Sequence, residues 1–324
     1  MPKGFALFRW VGFFGAGKNT EELPEHFHKG YEAAPKSVWA PGERLTEQDR
    51  DGVKAEVLYT SLGMFLYGLA DAELRAACFS VYNDFVSEYC KYAPNRLIGI
   101  GLISLKSIPD AVSELELCAR KGLCGAMIWA APPEDRPYIH PDYKPFWRAA
   151  ESLDLPISLH ILTERRGSGL GGRHNFLTGY LAVPHGIQKQ LGVMIFGGVL
   201  EAYPNLKLIS AESDVTWFPH FMYRLDHAYD RFRHFQGLTL ALKPSEYVKR
   251  QVYATFQFET IGHDMVETYG ADRIMWSSDY PHTDSPWPHS REYIEGGAFS
   301  QISAADTQRI VGGNAARLYH IPLN

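Results

Sequence analysis

His160, Glu212 and Asp279 each stand at or near the end of a short run of bulky apolar residues: Pro156-Ile-Ser-Leu-His160-Ile161, Leu206-Lys-Leu-Ile-Ser210-Ala-Glu212 and Ile274-Met-Trp-Ser277-Ser-Asp279. Runs this short and this apolar predict buried strands rather than helices. Pro281 forbids the last ladder from continuing, so an aspartate is delivered at a strand end, followed by Tyr280, His282, Thr283 and Asp284. An imidazole and two carboxylates gathered at one point suit a divalent cation with a position left open for water or substrate. Such an ion polarises a substrate oxygen or lowers the pKa of bound water, and a nearby carboxylate can move the proton. Plainer readings exist for each residue. His160 alone reads as a satisfied core histidine, Asp279 as a cap, and Glu212 as the partner of Arg165, Arg166 or Arg224. Three strand ends in register turn the balance toward chemistry.

That register requires a particular architecture. Strand-like runs at Ala55–Thr60, Leu97–Ile103, Cys124–Trp129, Pro156–Ile161, Leu206–Glu212, Val252–Gln257 and Ile274–Ser277 alternate with helical patterns at Asp71–Ala93, Asp110–Lys121, Pro141–Leu153, His185–Tyr203, Trp217–Phe235 and His263–Tyr269. Alternation at this repeat length predicts an α/β fold with a parallel sheet covered by helices. We expect a distorted (β/α)8 barrel of the TIM type, in which strand ends from distant parts of the chain share one mouth. A closed barrel needs one more strand than the pattern shows, and the shortfall lies before Ala55. Either Phe5–Phe14 takes that role in altered form or the sequence begins after it; the second is preferred. The expected organisation is an N-terminal arm or insertion over 1–48 and a barrel over 49–324. In the Asp71–Ala93 segment, Leu74, Ala77, Cys78, Val81, Tyr82, Phe85 and Tyr89 recur at the three- and four-residue spacing of a helix.

Composition narrows the function classes. The 324 residues can bury a large core, and 45% apolar with 21% charged residues is the balance of an ordinary globular protein. A net charge of -5 leaves no basic patch for nucleic acid, and no apolar run is long enough to span a membrane. Cys78, Cys90, Cys118 and Cys124 show no metal-binding spacing, so free thiols in a reducing cytoplasm are expected.

Two N-terminal motifs carry less. Gly12 to Thr20 nearly matches the phosphate-cradling GxxxxGK[ST] loop, but Asn19 stands where a magnesium-binding hydroxyl belongs, so it reads as a glycine-rich turn. His26 and His28 would share a face in a strand, yet Pro24 and their charged neighbours predict a surface segment. Trp129 and Trp217, near strand ends, could wall a flat substrate or simply pack. The long loop Thr163–Asn175 carries Arg165, Arg166 and Arg173, and loops of this length are usually functional.

Leu155-Pro-Ile-Ser-Leu-His160, Trp276-Ser-Ser-Asp279-Tyr-Pro-His282 and Gly313-Asn-Ala-Ala-Arg-Leu-Tyr319 resemble the amidohydrolase-related family, which includes aminocarboxymuconate-semialdehyde decarboxylase-like and resorcylate decarboxylase-like enzymes. The similarity runs from about Asp49 to the C-terminus and includes Asp49-Arg-Asp-Gly52 and Tyr82-Asn83-Asp84. It implies zinc or manganese at the mouth, His160 as the mid-barrel ligand, Asp279 as ligand and proton carrier, and a homodimer. Two departures stand out. Pro219 and Arg224-Leu-Asp226 match a segment that follows a catalytic histidine in the family, but here Glu212 and Ser213 occupy that region. The family's first-strand His-x-His or Glu-x-His pair is also not seen, which puts metal occupancy in doubt. The expected activity is a metal-dependent carboxy-lyase acting on a small aromatic or unsaturated carboxylate. Asp279 and Glu212 would be catalytic, and Arg165, Arg166, Trp129, Trp217 and His282 would contact the substrate. The rival expectations are a hydrolase of esters, lactones or amides using the same site, and a metal-free barrel that only binds.

Overall fold

The computed structural model describes residues 14–19, 21–163 and 175–322. Eight strand segments follow one another in the chain: β1 (Glu56–Leu58), β2 (Leu97–Gly99), β3 (Gly101–Leu102), β4 (Ala126–Ile128), β5 (Ile157–His160), β6 (Leu208–Ala211), β7 (Val252–Phe256) and β8 (Ile274–Trp276). Before the first strand come α1 (Leu23–His28) and α2 (Pro41–Asp51), and between the strands come α3 (Leu62–Leu66), α4 (Ala72–Lys91), α5 (Ile108–Arg120), α6 (Lys144–Ser152), α7 (Asn175–Phe196), α8 (Val199–Ala202), α9 (Phe218–Phe232), α10 (Pro244–Gln251) and α11 (His263–Thr268). Three short helices, α12 (Ser290–Tyr293), α13 (Ala304–Gln308) and α14 (Asn314–Leu318), close the chain.

Every ladder is parallel: β1 pairs with β2, and β3 to β8 form a second sheet in sequence order. Only Ile100 separates β2 from β3, so the expected Leu97–Ile103 strand is present with a break. The run of strands therefore has seven positions and curls in the manner of the expected barrel. Among the described residues no ladder joins β8 to β1. Residues 5–13, the alternative source of a first strand, lie outside the described residues.

The inner strands are covered on both faces, so they read as almost continuous apolar runs. All residues of β4, β5 and β6 are buried. Two asparagines from the recognised motifs pin helices to this sheet. Asn83 Nδ2 donates to Leu102 O at 3.1 Å and to Glu114 Oε1 at 2.7 Å, while its Oδ1 accepts from Leu102 N at 2.7 Å. Asn314 Nδ2 donates to Ala271 O at 2.6 Å and Ile274 O at 2.7 Å, fixing the closing helices against the start of β8. A buried amide that satisfies strand carbonyls cannot be replaced by an apolar side chain without orphaning them.

The helical spacing over 71–93 appears as α4, whose buried face is Arg75, Phe79, Asn83, Val86, Tyr89 and Cys90, while Leu74, Val81 and Phe85 are 52%, 69% and 47% exposed. Asn83, which finds partners in β3, lies on that buried face. Residues 48 and 49 both lie within α2. One expectation is corrected: His26, expected on a surface segment, lies in α1 and is buried with Nε2 2.6 Å from Phe14 O. No helix among the described residues is long and apolar enough to cross a membrane.

The open side of the barrel is clasped by Arg44 of α2. Its Nε donates to Glu56 Oε2 on β1 at 2.6 Å, its Nη2 donates to Tyr280 O beyond β8 at 3.1 Å, and its guanidinium lies 4.7 Å from the Tyr280 ring centroid. Both charged side chains are nearly enclosed, at 11% and 10% exposure. Removing one member of such a pair leaves a buried charge with too few partners. Arg44→Met is therefore expected to cost about 3 kcal/mol in urea unfolding, and adding Glu56→Leu should recover most of it. A cost below about 0.5 kcal/mol would mean that the clasp contributes little.

Candidate active site

The strand-end residues come together at one mouth. His160 ends β5, and its neighbour Ser158 shares its inward face by strand alternation. Glu212 follows β6 and Asp279 lies beyond β8, both in the left-handed backbone region with φ of 54° and 52°. Non-glycine residues visit that region at a cost; here it turns each carboxylate at the point where its strand stops. The Glu212 amide donates to Thr255 Oγ1 of β7 at 2.8 Å, which holds the turn in place.

The central contact is between His160 and Glu212. His160 is 2% exposed; its Nδ1 lies 2.9 Å from Ile161 O and its Nε2 lies 3.0 Å from Glu212 Oε2. A carbonyl can only accept, so Nδ1 carries a proton and Nε2 faces the carboxylate. Burial pulls the imidazole down, but the Glu212 charge and hydrogen bond outweigh it and leave His160 raised above 6.5. Burial likewise works against the Glu212 carboxylate, and His160 overcomes it, so Glu212 lies below its usual range. The two shifts agree on an ionised pair. Its glutamate part is present above the ordinary carboxylate range and is lost as pH falls through the depressed value. Its histidine part is full below 6.5 and is lost as pH rises through the raised value.

Asp279 and His282 complete the cluster. His282 Nδ1 lies 3.3 Å from Asp279 Oδ2, and its Nε2 lies 2.6 Å from Ser61 Oγ, just beyond β1. Burial first, and then the Glu212 carboxylate, push Asp279 up to about 6. His282 is pulled down by burial but carried up to about 9 by Asp279. One ligand atom from each of Glu212, Asp279 and His282 lies within 4.8 Å of the others. Tyr59 packs beside His160, with ring centroids 5.2 Å apart, and its hydroxyl bonds Ser158 Oγ at 2.8 Å and Tyr319 OH at 3.2 Å. A cavity of about 980 Å³ opens onto these groups and extends between β8 and β1 to Arg96 and Ile321 at the opposite strand ends.

Several expected residues stand elsewhere. Glu212 pairs with His160, not with an arginine. Trp129 is buried, with Nε1 donating to Tyr67 O at 3.2 Å and Arg75 4.8 Å over its ring, so it packs and does not wall the cavity. Trp217 donates to Ser213 O at 2.7 Å and stacks on Phe218. The aromatic residues that line the cavity beside the cluster are Tyr59 and Trp276. Arg165 and Arg166 lie outside the described residues. Sequence reading missed Tyr59, Ser61 and Thr255. Tyr59 directly follows β1, so the strand-end criterion that found Asp279 would have found it too.

The amidohydrolase family model matches residues 24–321. The chain belongs to the amidohydrolase family. A gamma-resorcylate decarboxylase of Polaromonas sp. is 25% identical over 290 residues, 86% of this chain and 86% of the relative. A 2-amino-3-carboxymuconate-6-semialdehyde decarboxylase of Dictyostelium discoideum is 25% identical over 286 residues, 86% of this chain and 76% of that protein. Among solved structures, 5-carboxyvanillate decarboxylase from Sphingomonas paucimobilis has a TM-score of 0.72 at 25% identity, covering 90% of this chain and 87% of that one. The dihydroxybenzoic acid decarboxylase of Polaromonas sp., with bound manganese and 2-nitroresorcinol, has a TM-score of 0.75 at 22% identity, covering 95% and 92%. These likenesses bear out the expected family and a barrel-type fold.

If the Glu212 charge sustains the raised His160, Glu212→Gln should drop the imidazole below 6.5, since burial then acts with less opposition. NMR titration of the His160 ring carbons reads this directly. An unchanged titration would mean that other groups hold the proton.

Proposed function

We propose that this chain is a metal-dependent carboxy-lyase acting on a small aromatic carboxylate. The observation that carries the reading is the crowding of Glu212, Asp279 and His282 around one point at the mouth of a large cavity. Burial and then the Glu212 charge raise Asp279, and two oxygens with an imidazole nitrogen are a donor set that fits zinc or manganese. The named activities of the two relatives and of the carboxyvanillate enzyme, each a decarboxylation, favour carbon dioxide release over hydrolysis.

A divalent cation bound there would supply positive charge to a substrate carboxylate and to an oxygen beside it. The chain's own residues supply the rest. Tyr59 and Trp276 present flat surfaces to an aromatic ring. Asp279 stands at the cavity wall beside His282, where it can carry a proton to the reacting carbon. When the bond between ring carbon and carboxylate breaks, its electron pair stays on the ring carbon and takes that proton. Asp279 is left ionised, with His282 beside it to stabilise the charge. The His160–Glu212 pair holds a second carboxylate in place without consuming the Asp279 proton.

The test is a panel of aromatic acids assayed for carbon dioxide release, against esters, lactones and amides assayed for hydrolysis, using chelator-stripped and manganese-reloaded protein. The expected result is metal-dependent carbon dioxide release from at least one hydroxylated aromatic acid, reduced by about 100-fold or more in Asp279→Asn. Hydrolysis without carbon dioxide release would make the protein a hydrolase. Neither activity, with no bound metal, would make it a binding barrel.

A further inference from the structure

We propose that Gln257 and Ser277 form a subsite for a neutral hydroxyl on the side of an aromatic ring away from its carboxylate, with Gln257 setting that specificity. The proposal rests on the reading that an aromatic carboxylate occupies this mouth, and it adds which further substituent the ring carries.

Gln257 is the first residue past β7. Strand alternation puts Tyr253 and Thr255 on the inner face and continues to Gln257. Tyr253 packs with Met127, Ile209 and Met275 inside the barrel, and Thr255 and Gln257 both line the cavity. Gln257 is only 7% exposed, yet its side-chain amide has no hydrogen-bond partner among the described residues. Buried amides elsewhere in the fold are paired. At the other end of β7, Gln251 Nε2 donates to Tyr203 O at 2.7 Å and Leu206 O at 3.1 Å, and Asn83 and Asn314 bond strand backbone. An enclosed amide without a partner is costly, and the space it borders is the cavity, so a bound molecule is what satisfies it.

Ser277 stands beside it. The β7–β8 register pairs Phe256 with Trp276, so the next pair is Gln257 and Ser277, held by Ser277 N on Phe256 O at 2.9 Å. Ser277 Oγ lies 3.3 Å from Phe256 O and donates there, which leaves the serine oxygen to accept. The subsite thus offers one amide donor, one amide acceptor and one hydroxyl acceptor, with no charge. A substrate hydroxyl matches this set, since it donates and accepts at once. A hydrogen or methyl in its place leaves the amide unpaired. A second carboxylate finds no cation here, and the Asp279 carboxylate lies two residues beyond Ser277. Two residues of extended chain span roughly 6–7 Å, about the reach across a substituted ring. A ring whose carboxylate-bearing carbon faces Asp279 therefore sets its far side at Gln257 and Ser277.

The experiment uses the full manganese-loaded chain and reads binding by calorimetry with benzoate, 3-hydroxybenzoate and 4-hydroxybenzoate. Wild type should bind one of the hydroxybenzoates about 10-fold or more tighter than benzoate. In Gln257→Leu, and in Gln257→Met as a second apolar replacement, that preference should vanish through weaker hydroxybenzoate binding, with benzoate unchanged or tighter. A merely structural role would weaken all three acids alike and keep the preference, which would overturn the proposal. Equal binding of the three acids by wild type, or binding of none, would overturn it too. A preference that depends on Gln257, in a chain that releases carbon dioxide from no aromatic acid, would support the subsite while contradicting the carboxy-lyase reading. Carbon dioxide release with a preference indifferent to Gln257 would do the reverse.

Discussion

The buried contact between His160 and Glu212 is the constraint around which the mouth is arranged. An ionised carboxylate inside a protein is costly unless it is paired and hydrogen-bonded, and here the partner is an imidazole at 2% exposure, anchored in turn by Ile161 O. Because that pair satisfies Glu212, the Glu212 charge persists and bears on Asp279. Burial and then the Glu212 charge raise Asp279, and Asp279 in turn makes His282 more basic. The contact at the end of β5 thus bears on the turn that follows β8.

The scaffold makes this possible through strand ends, not through neighbouring residues. β5, β6 and β8 are apolar along their length and stop at polar residues, and the parallel order brings those stops to one level. The left-handed turns at Glu212 and Asp279 aim the carboxylates. On the open side between β8 and β1, the Arg44 clasp ties α2 to both edges, and the cavity follows the same gap.

Much of this was legible in the sequence, for definite reasons. Parallel strands covered on both faces are short apolar runs, so β4 to β8 and the residues at their ends could be read directly. Pro281 after Asp279 fixed where the last run stops. What could not be read depends on partners far apart in the chain. Glu212 had three arginines as plausible partners, and only the fold shows that His160 reaches it first. The helical spacing of α4 could be read, but not which face turns inward, because its apolar residues surround the helix and a polar residue, Asn83, lies on the buried face. Trp129 and Trp217 sit near strand ends as expected, but their indole N–H groups find backbone carbonyls in the packed layer, which turns both rings away from the cavity. Ser61 and Thr255 carry no signal by type, since hydroxyl residues are common at turns and on strands.

The central claim is that a divalent cation works at this mouth, where Glu212, Asp279 and His282 come together. Diffraction from crystals grown with manganese, recorded on both sides of the manganese absorption edge, tests it most directly. The account predicts one strong anomalous peak at the strand ends, beside the Asp279 carboxylate. A protein saturated with manganese that shows no peak at this mouth would contradict it.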